Sequence, residues 1–184
     1  MLTATAILKG TVPYSQSKAV ATPRNSDEDF RTWEERIWRE RMHVDNDGNV
    51  IIPPMSLKNC MAEYAKYRSD NVPGKRNATY TKFFEAGVMV PEPVTLNVKA
   101  ADVLGEWLFL PADGKRGGGK RVWKCYPCIK QWQGLVTFLI LDEMVKPVFE
   151  EYLTGAGRFI GIGRFRPRNN GFYGRFIIED FKWS

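Results

Sequence analysis

The sequence is poor in metal-ligating and redox-active side chains, with three cysteines and one histidine among 184 residues. A small, odd number of cysteines in a chain of this length does not build a disulfide framework, which favours a reducing compartment. No apolar run approaches the roughly 18 residues that span a bilayer. The N-terminus MLTATAILKG also lacks the basic and long apolar regions of a secretion signal. We therefore expect a cytoplasmic protein with no membrane partner.

The candidate metal motifs are incomplete. Cys125-Tyr126-Pro127-Cys128 is one CxxC half-site, and the ligands that could complete it, Cys60 and His43, are far away in sequence. Asp45-Asn46-Asp47-Gly48 is similar to the start of a calcium loop, but Ser56 stands where the twelfth-position glutamate should be. We predict no metal and no cofactor.

Enzymatic signatures are also missing. The stretch from Gly114 to Lys120 fits GxxxxGK, yet Arg121 replaces the required Ser or Thr, and no helix follows, so we reject an NTPase. No GxSxG motif is present. His43 with Asp45 and Asp47 leaves a metal-dependent nuclease as a remote alternative. We expect a non-enzymatic protein.

The composition indicates one globular domain, with 43% hydrophobic, 26% charged and 13% aromatic residues. Apolar patterns predict strands at residues 3–8, 88–90, 94–98, 106–110, 136–141 and 176–181, and helices starting at Ser26 or Asp27, at Ser56 and at Pro147. This mixture predicts an α+β fold, a sheet with two or three helices packed on one face. We place a single domain over residues 1–184, with exposed loops near residues 11–25, 71–82 and 111–124.

Positive charge is concentrated in three stretches, although the formal net charge is only +6. Residues 66–82 and 113–124 each carry five basic residues against one aspartate, whereas residues 158–175 carry five arginines and no acid. The segment from Asp27 to Asp45 is acidic and is typical of a solvated helix face. Clustered cations of this kind favour a polyanionic partner.

The segment Gly161–Gly174 is the strongest candidate site. Its glycines allow close backbone approach, its arginines supply forked donors for phosphate, and Phe165, Phe172 and Tyr173 offer flat faces for bases. These are the three requirements of a groove for single-stranded nucleic acid. A solvated hairpin with core aromatics is the alternative interpretation.

Two further basic stretches, and three separate basic side chains, could extend such a groove. The glycine-rich loop before Lys124 reads as a mobile basic finger, or as a merely solubilising loop. The predicted nucleic-acid-binding residues are Arg164, Phe165, Arg166, Arg168, Tyr173 and Arg175; Lys115, Arg116, Lys120, Arg121 and Trp123; Lys75, Arg76, Tyr80 and Lys82; and Lys18, Arg24 and Lys58.

Three segments carry a family resemblance. They are the strand ending at Gly10 with the polar turn 13–18 after it, the strand, proline and helix junction Ile51–Lys58, and the glycine-rich segment Gly161–Gly174 before a final strand. Together they resemble the RAMP superfamily, the RNA-binding subunits of CRISPR effector complexes, and especially its backbone-forming branch. The resemblance implies a ferredoxin-like or RRM-like antiparallel sheet that binds a single strand through backbone contacts, often assembling side by side. The short chain suggests a compact phage or mobile-element relative.

The functional hypothesis is largely sequence-independent binding of single-stranded DNA or RNA, with copies of the protein self-associating along the strand. The alternative from another class is an assembly protein whose aromatic surfaces bind protein partners. The sequence leaves DNA and RNA equally open, because discrimination by the 2′-hydroxyl depends on one or two contacts.

Overall fold

Antiparallel strands make up most of the regular structure in the computed structural model, which describes residues 1–114, 117 and 119–184. Nine strands lie within those residues. They are β1 (Leu2–Gly10), β2 (Tyr14–Ser15), β3 (Asn49–Ile52), β4 (Val88–Met89), β5 (Val94–Lys99), β6 (Leu104–Pro111), β7 (Arg121–Ile129), β8 (Gln133–Ile140) and β9 (Phe176–Trp183).

The main sheet has the order β3-β5-β8-β1-β9, and β4 also pairs with β8. The β5-β8-β1-β9 part has the strand order of a ferredoxin-like fold. A second sheet, β2-β7-β6, is built on a long hairpin inserted between β5 and β8. Its strands β6 and β7 pair from Leu104↔Cys128 to Pro111↔Arg121.

Four α-helices lie in the same described residues: α1 (Phe30–Ile37), α2 (Pro54–Arg68), α3 (Thr81–Gly87) and α4 (Phe149–Gly155). None of the described helices is long and apolar enough to cross a membrane. α2 and α4 follow β3 and β8 in the chain and pack against one another. A π-helical turn, Ala156–Ile160, continues α4 toward the glycine-rich segment.

The core lies between one face of the main sheet and these helices. Alternate residues of β1 and β8, such as Leu8 and Phe138, are fully buried together with Leu57 of α2 and Phe149 of α4. Because side chains alternate along a strand, the other face of the sheet points away from the helices. There Leu135 is 62% exposed. The structure thus confirms the α+β prediction, an antiparallel sheet with helices on one face.

The first helix is shorter than predicted. It starts at Phe30 because the Asp29 carboxylate accepts hydrogen bonds from the backbone N–H groups of Arg31 (2.8 Å) and Thr32 (3.1 Å). It ends at Ile37 and passes into a 3-10 turn. The acidic segment is not merely a solvated face, since Glu34 is 1% exposed and pairs with Arg41.

Other boundaries also differ from the prediction. α2 begins at Pro54 instead of Ser56, because proline suits the first helical turn, where its missing N–H is not needed. The sequence patterns missed α3 and β7. The expected loops are partly buried: Tyr14, Ser15 and Gln16 are only 1–2% exposed, and Val72 and Tyr80 are 2% and 5% exposed.

Candidate nucleic-acid interface

A polar groove lies where the glycine-rich segment meets the start of α2, and we call it the N-terminal groove. It encloses about 320 Å³. The polar and charged side chains that line it include Gln16, Lys18, His43, Asn59, Arg164 and Arg166. No Asp or Glu is found among its lining residues in the described part of the chain. α2 starts there without a side-chain cap, so the positive end of the helix dipole adds to the cations.

The glycine-rich segment is held in place by backbone hydrogen bonds to the start of β2. The Arg164 N–H donates to the Ser15 carbonyl (2.8 Å), and the Gly174 N–H donates to the Pro13 carbonyl (2.8 Å). Gly163 and Gly174 have φ of +74° and +75°, and a Cβ at either position would collide with backbone oxygens. Arg164, which follows Gly163 directly, lines the groove.

Arg164 is the most unusual cation of the groove. Its guanidinium carbon lies 3.3 Å from the ring centroid of Tyr126 and 3.7 Å from that of Phe165, so it stacks on both rings. Its Nη1 atom is buried and has no hydrogen-bond partner among the described residues. Burial lowers the pKa of Arg164 below its ordinary value, and Tyr126 and Glu106 partly offset this effect. Within the described residues, Arg164 forms no ion pair with a carboxylate.

Arg166 extends the site along α2. Its guanidinium forms an ion pair with Glu63, one turn beyond Asn59 on the helix. Arg166 also lines a second depression of about 500 Å³, together with Lys58, Asn59, Glu63 and Lys66. The two depressions share Arg166 and Asn59 and therefore adjoin each other. Part of the charge predicted for this site is already neutralised by Glu63.

The remaining predicted residues of the segment lie in different environments. Arg168 is exposed, whereas Arg175 donates to the carbonyls of Arg158 (3.2 Å) and Phe172 (3.2 Å) outside the groove. Phe165 is 40% exposed, with an accessible ring. The Tyr173 hydroxyl donates to the Glu106 carboxylate (2.8 Å). Burial and this carboxylate raise the pKa of Tyr173 to about 12. Tyr173 thus anchors the segment to the β6–β7 hairpin.

The hairpin presents two different faces. Tyr126 contacts Arg164, whereas Arg121 and Trp123 lie on the opposite face by strand alternation. Trp123 is 47% exposed and contacts Phe109, with ring centroids 5.3 Å apart and ring planes inclined by 43°. Lys120 is exposed near the tip. The predicted contacts Lys115 and Arg116 lie outside the described residues.

The stretch 71–82 lies apart from both depressions, since none of its residues lines either one. Lys75 and Lys82 both lie 5.1 Å from the Phe83 ring centroid, and Arg76 is exposed. Tyr80 is buried beside Tyr152 in the core and has no accessible face for a base. The predicted basic-aromatic stretch therefore has no tyrosine available for base stacking, because Tyr80 is part of the core.

The separate basic residues fall in different places. Lys18 lines the N-terminal groove and Lys58 lines the second depression. Arg24 is exposed and lines neither of them. Sequence reasoning missed Gln16, which donates to the Ile51 carbonyl (2.7 Å) and accepts from the His43 N–H. The buried glutamine joins the segments that form the groove wall, and no sequence pattern marks it.

The possible metal motifs are structural parts of strands and turns. Cys125 and Cys128 are three residues apart on β7, so strand alternation points them to opposite faces. The Asp45 carboxylate is occupied by Asn49, accepting from its N–H (2.8 Å) and from its side-chain amide (2.9 Å). Within the described residues, no cluster of three or more His, Cys, Asp or Glu side chains could hold a metal ion.

No protein-family model and no curated protein matches this chain. Solved structures show the class of fold. A chain of the Type III-B Cmr-beta structure bound to cognate target RNA matches with a TM-score of 0.62 at 10% sequence identity, covering 99% of this chain and 60% of that one. At this identity the similarity establishes a common fold, and this chain spans about 60% of its neighbour's length.

Two further structures give weaker matches. Cmr6 from Pyrococcus furiosus matches with a TM-score of 0.49 at 13% identity, covering 97% of this chain and 99% of that one. A chain of a CRISPR RNA-guided surveillance complex matches with a TM-score of 0.45 at 10% identity, covering 99% and 68%. The neighbour with the TM-score of 0.62 supports the predicted fold, whereas membership of the RAMP superfamily and a phage or mobile-element origin stay predictions.

Proposed function

We propose that the protein is a non-enzymatic binder of single-stranded nucleic acid, largely independent of sequence, and that backbone phosphates lie in the N-terminal groove. The proposal rests on the convergence of basic side chains in one groove. Lys18, Arg164 and Arg166 come from distant parts of the chain and line one groove without an acidic lining residue. Arg164 lines the groove and forms no ion pair with a carboxylate among the described residues, so its partly exposed guanidinium is suited to charge-assisted hydrogen bonds with phosphate.

The bases would contact the exposed rings near these cations. Phe165 is 40% exposed beside Arg164, which leaves one aromatic face for stacking. Lys58 and Arg168 would add phosphate contacts along the track. We take RNA as the first strand to test, because the neighbour with the higher TM-score is described as bound to target RNA.

The test is a titration of labelled oligonucleotides against wild-type protein and a triple variant, Arg164→Ala, Arg166→Ala and Arg168→Ala. Each lost charged hydrogen bond costs about 1.5–3 kcal/mol, so the triple variant should bind at least about 100-fold more weakly. Single-stranded RNA, single-stranded DNA and duplex are compared at two salt concentrations. Wild-type affinity should fall steeply with salt, because phosphate binding releases counterions.

A charge-matched control separates the groove from net charge. Lys99, Lys130 and Lys146 are exposed and do not line the groove. Replacing all three by alanine removes the same charge and should weaken binding much less than the groove variant. Equal losses in the two variants, or full affinity in the groove variant, would contradict the proposal.

The face of the main sheet away from the helices favours an assembly role as a second candidate. Met89 is 45%, Leu135 62% and Ile177 39% exposed. The residues of β1 and β8 that point to this face include no aromatic side chain, so it is poorly suited to base stacking. We propose, for this second candidate, that copies associate through this face without nucleic acid. Gel filtration with and without oligonucleotide tests this, because a scaffold assembles alone, whereas assembly only in the presence of oligonucleotide indicates self-association along the strand.

A further inference from the structure

An exposed aromatic pair lies beyond the second depression, at the C-terminal end of α2. Tyr67 is 61% exposed and Phe159 is 54% exposed. Their ring centroids are 6.1 Å apart and the rings are inclined by only 21°. The buried Tyr64 ring lies nearly parallel to Phe159, at 9° and 6.3 Å, and supports it from the core side. The three rings form a rigid, nearly parallel platform.

The local backbone is shaped to hold this platform. The π-helical turn Ala156–Ile160 continues α4 and places Phe159 at the surface. Gly155 permits the approach of Tyr64, because a Cβ at this position would collide with the tyrosine ring. The rings therefore occupy positions set by close packing beneath them.

One face of α2 connects the platform to the N-terminal groove. Ser56, Asn59, Glu63 and Tyr67 follow each other at spacings of three or four residues, so they lie along a single face of the helix. Ser56 and Asn59 line the N-terminal groove, and Asn59 and Glu63 line the second depression. At 1.5 Å per residue, the face is about 16 Å long. A strand lying in the groove can follow this face to the rings.

The charges around the platform favour a polyanion. Lys66 and Arg158 are exposed and have no ion-pair partner in the described part of the chain. Lys66 lies one residue before Tyr67 and lines the second depression, where three cations, Lys58, Lys66 and Arg166, outnumber the carboxylates of Glu63 and Glu85. Arg158 adjoins Phe159 in a separate hollow, which Glu150 and Glu151 also line. Glu151 pairs with Arg68. These carboxylates oppose the passage of phosphates beyond the rings.

We propose that Tyr67 and Phe159 form a base-stacking subsite for an unpaired nucleobase at the end of the track along α2. The inference rests on the proposed function, since it assigns the end of the strand that the N-terminal groove holds. The ligand is a nucleobase of any type, because stacking depends on the π-face that all bases share. Lys66 binds the adjacent phosphate, and the acidic hollow beyond Phe159 ends the path.

The experiment compares binding of RNA oligonucleotides of about four and about twelve nucleotides, within the range of known single-strand site sizes. The variants are Tyr67→Ala with Phe159→Ala, and the ring-preserving control Tyr67→Phe with Phe159→Tyr. Loss of the rings should weaken binding of the long oligonucleotide about tenfold or more, as removal of a stacking aromatic does. It should leave binding of the short one nearly unchanged, and the control should behave like wild type.

Removing one base tests stacking directly. In the wild type, an abasic nucleotide at one position of the long oligonucleotide should weaken binding as much as loss of the rings. The same abasic nucleotide should have no further effect in the alanine variant, because the two changes remove one interaction. Thermal unfolding of each variant checks the fold, which should persist because both rings are more than half exposed.

The outcomes distinguish a failure of the stacking subsite from a failure of the proposed function. If wild type binds the long oligonucleotide and the alanine variant binds it equally well, the subsite is wrong while the proposed function stands. If that variant changes only its elution volume in gel filtration, the platform is a protein contact and the inference is overturned. If wild type binds no single strand, both the proposed function and the subsite fail.

Discussion

Arg41 and Arg164 both lie against the ring of Tyr126, but their hydrogen-bond partners differ. The guanidinium carbon of Arg41 lies 4.8 Å from the Tyr126 centroid, and that of Arg164 lies 3.3 Å from it. Arg41 is 8% exposed, and both of its terminal nitrogens donate to Glu34 at 3.0 Å. Arg164 has no such carboxylate and leaves Nη1 without a partner among the described residues. One cation is neutralised within the protein, and the other is not.

This difference in partners distinguishes Arg41, a structural cation, from Arg164, a cation available for a ligand. Glu34 also accepts from the Cys125 N–H (3.0 Å), while Arg41 donates to the Cys125 carbonyl (3.0 Å). This buried network fixes the base of the hairpin against α1. Tyr126 then supports Arg164 at the groove side of the same hairpin. The two arginines carry the same charge, but Arg41 is more deeply buried and only Arg41 has a carboxylate partner among the described residues.

Replacing Glu34 by alanine tests the structural side and should have the largest effect. It leaves Arg41 buried without its carboxylate and the Cys125 N–H without its acceptor. Breaking a buried ion pair costs about 3–5 kcal/mol, and we expect the free energy of unfolding to fall by that amount. Urea denaturation measures it. An unchanged unfolding midpoint would mean that the pair does not stabilise the fold.

The core pattern and the glycine-rich segment were predictable from sequence, because they depend on neighbours along the chain. Strand alternation predicts β1, β8 and β9, and glycines between arginines mark the groove wall. The contact of Tyr126 with Arg164 and that of Tyr67 with Phe159 were not predictable. Each joins residues that only the folded chain brings together, and an isolated aromatic looks the same in the core and at a ligand site.

The partners of predicted cations were equally hidden. Arg166 and Arg168 are alike in sequence, yet only Arg166 meets Glu63, which lies on α2 more than a hundred residues earlier. Tyr80 looks like Tyr173 in its basic surroundings but packs in the core, because α3 begins directly after it. Local composition identifies candidate residues, whereas tertiary contacts decide which of them remain accessible.

Replacing Arg164 by lysine tests the ligand side of the comparison. The charge is retained, but the planar group that stacks between Tyr126 and Phe165 is lost, together with forked donors for phosphate. We expect binding of single-stranded RNA to weaken about tenfold, since arginine-to-lysine changes at stacked sites are not conservative. Fluorescence anisotropy gives the affinity.

The matched substitution is Arg41→Lys, which should mainly lower stability. Lysine keeps the charge near Glu34 but cannot reproduce the two-nitrogen contact, so the unfolding free energy should fall while the affinity of folded protein stays close to wild type. If Arg41→Lys weakens RNA binding as strongly as Arg164→Lys, the division between structural and ligand-binding arginines is wrong.

The pH dependence of His43 should have the smallest effect and gives the most specific test. His43 lines the groove beside the cations, and its imidazole is charged only at low pH. Burial, and secondarily the nearby Lys18, lowers the pKa of His43 below its ordinary value, so the free protein carries a neutral imidazole at neutral pH. Lys18, Arg164 and Arg166 share its groove. A bound phosphate favours the protonated form and raises the pKa of His43 in the complex, so the complex takes up protons and affinity should rise as the pH falls through that raised pKa. Between about pH 7.5 and 5.5 we expect a gain of roughly threefold, the scale of one weak charge contact.

The variant His43→Asn should show no such gain, and a wild-type affinity that stays flat with pH would place the strand away from this wall of the groove.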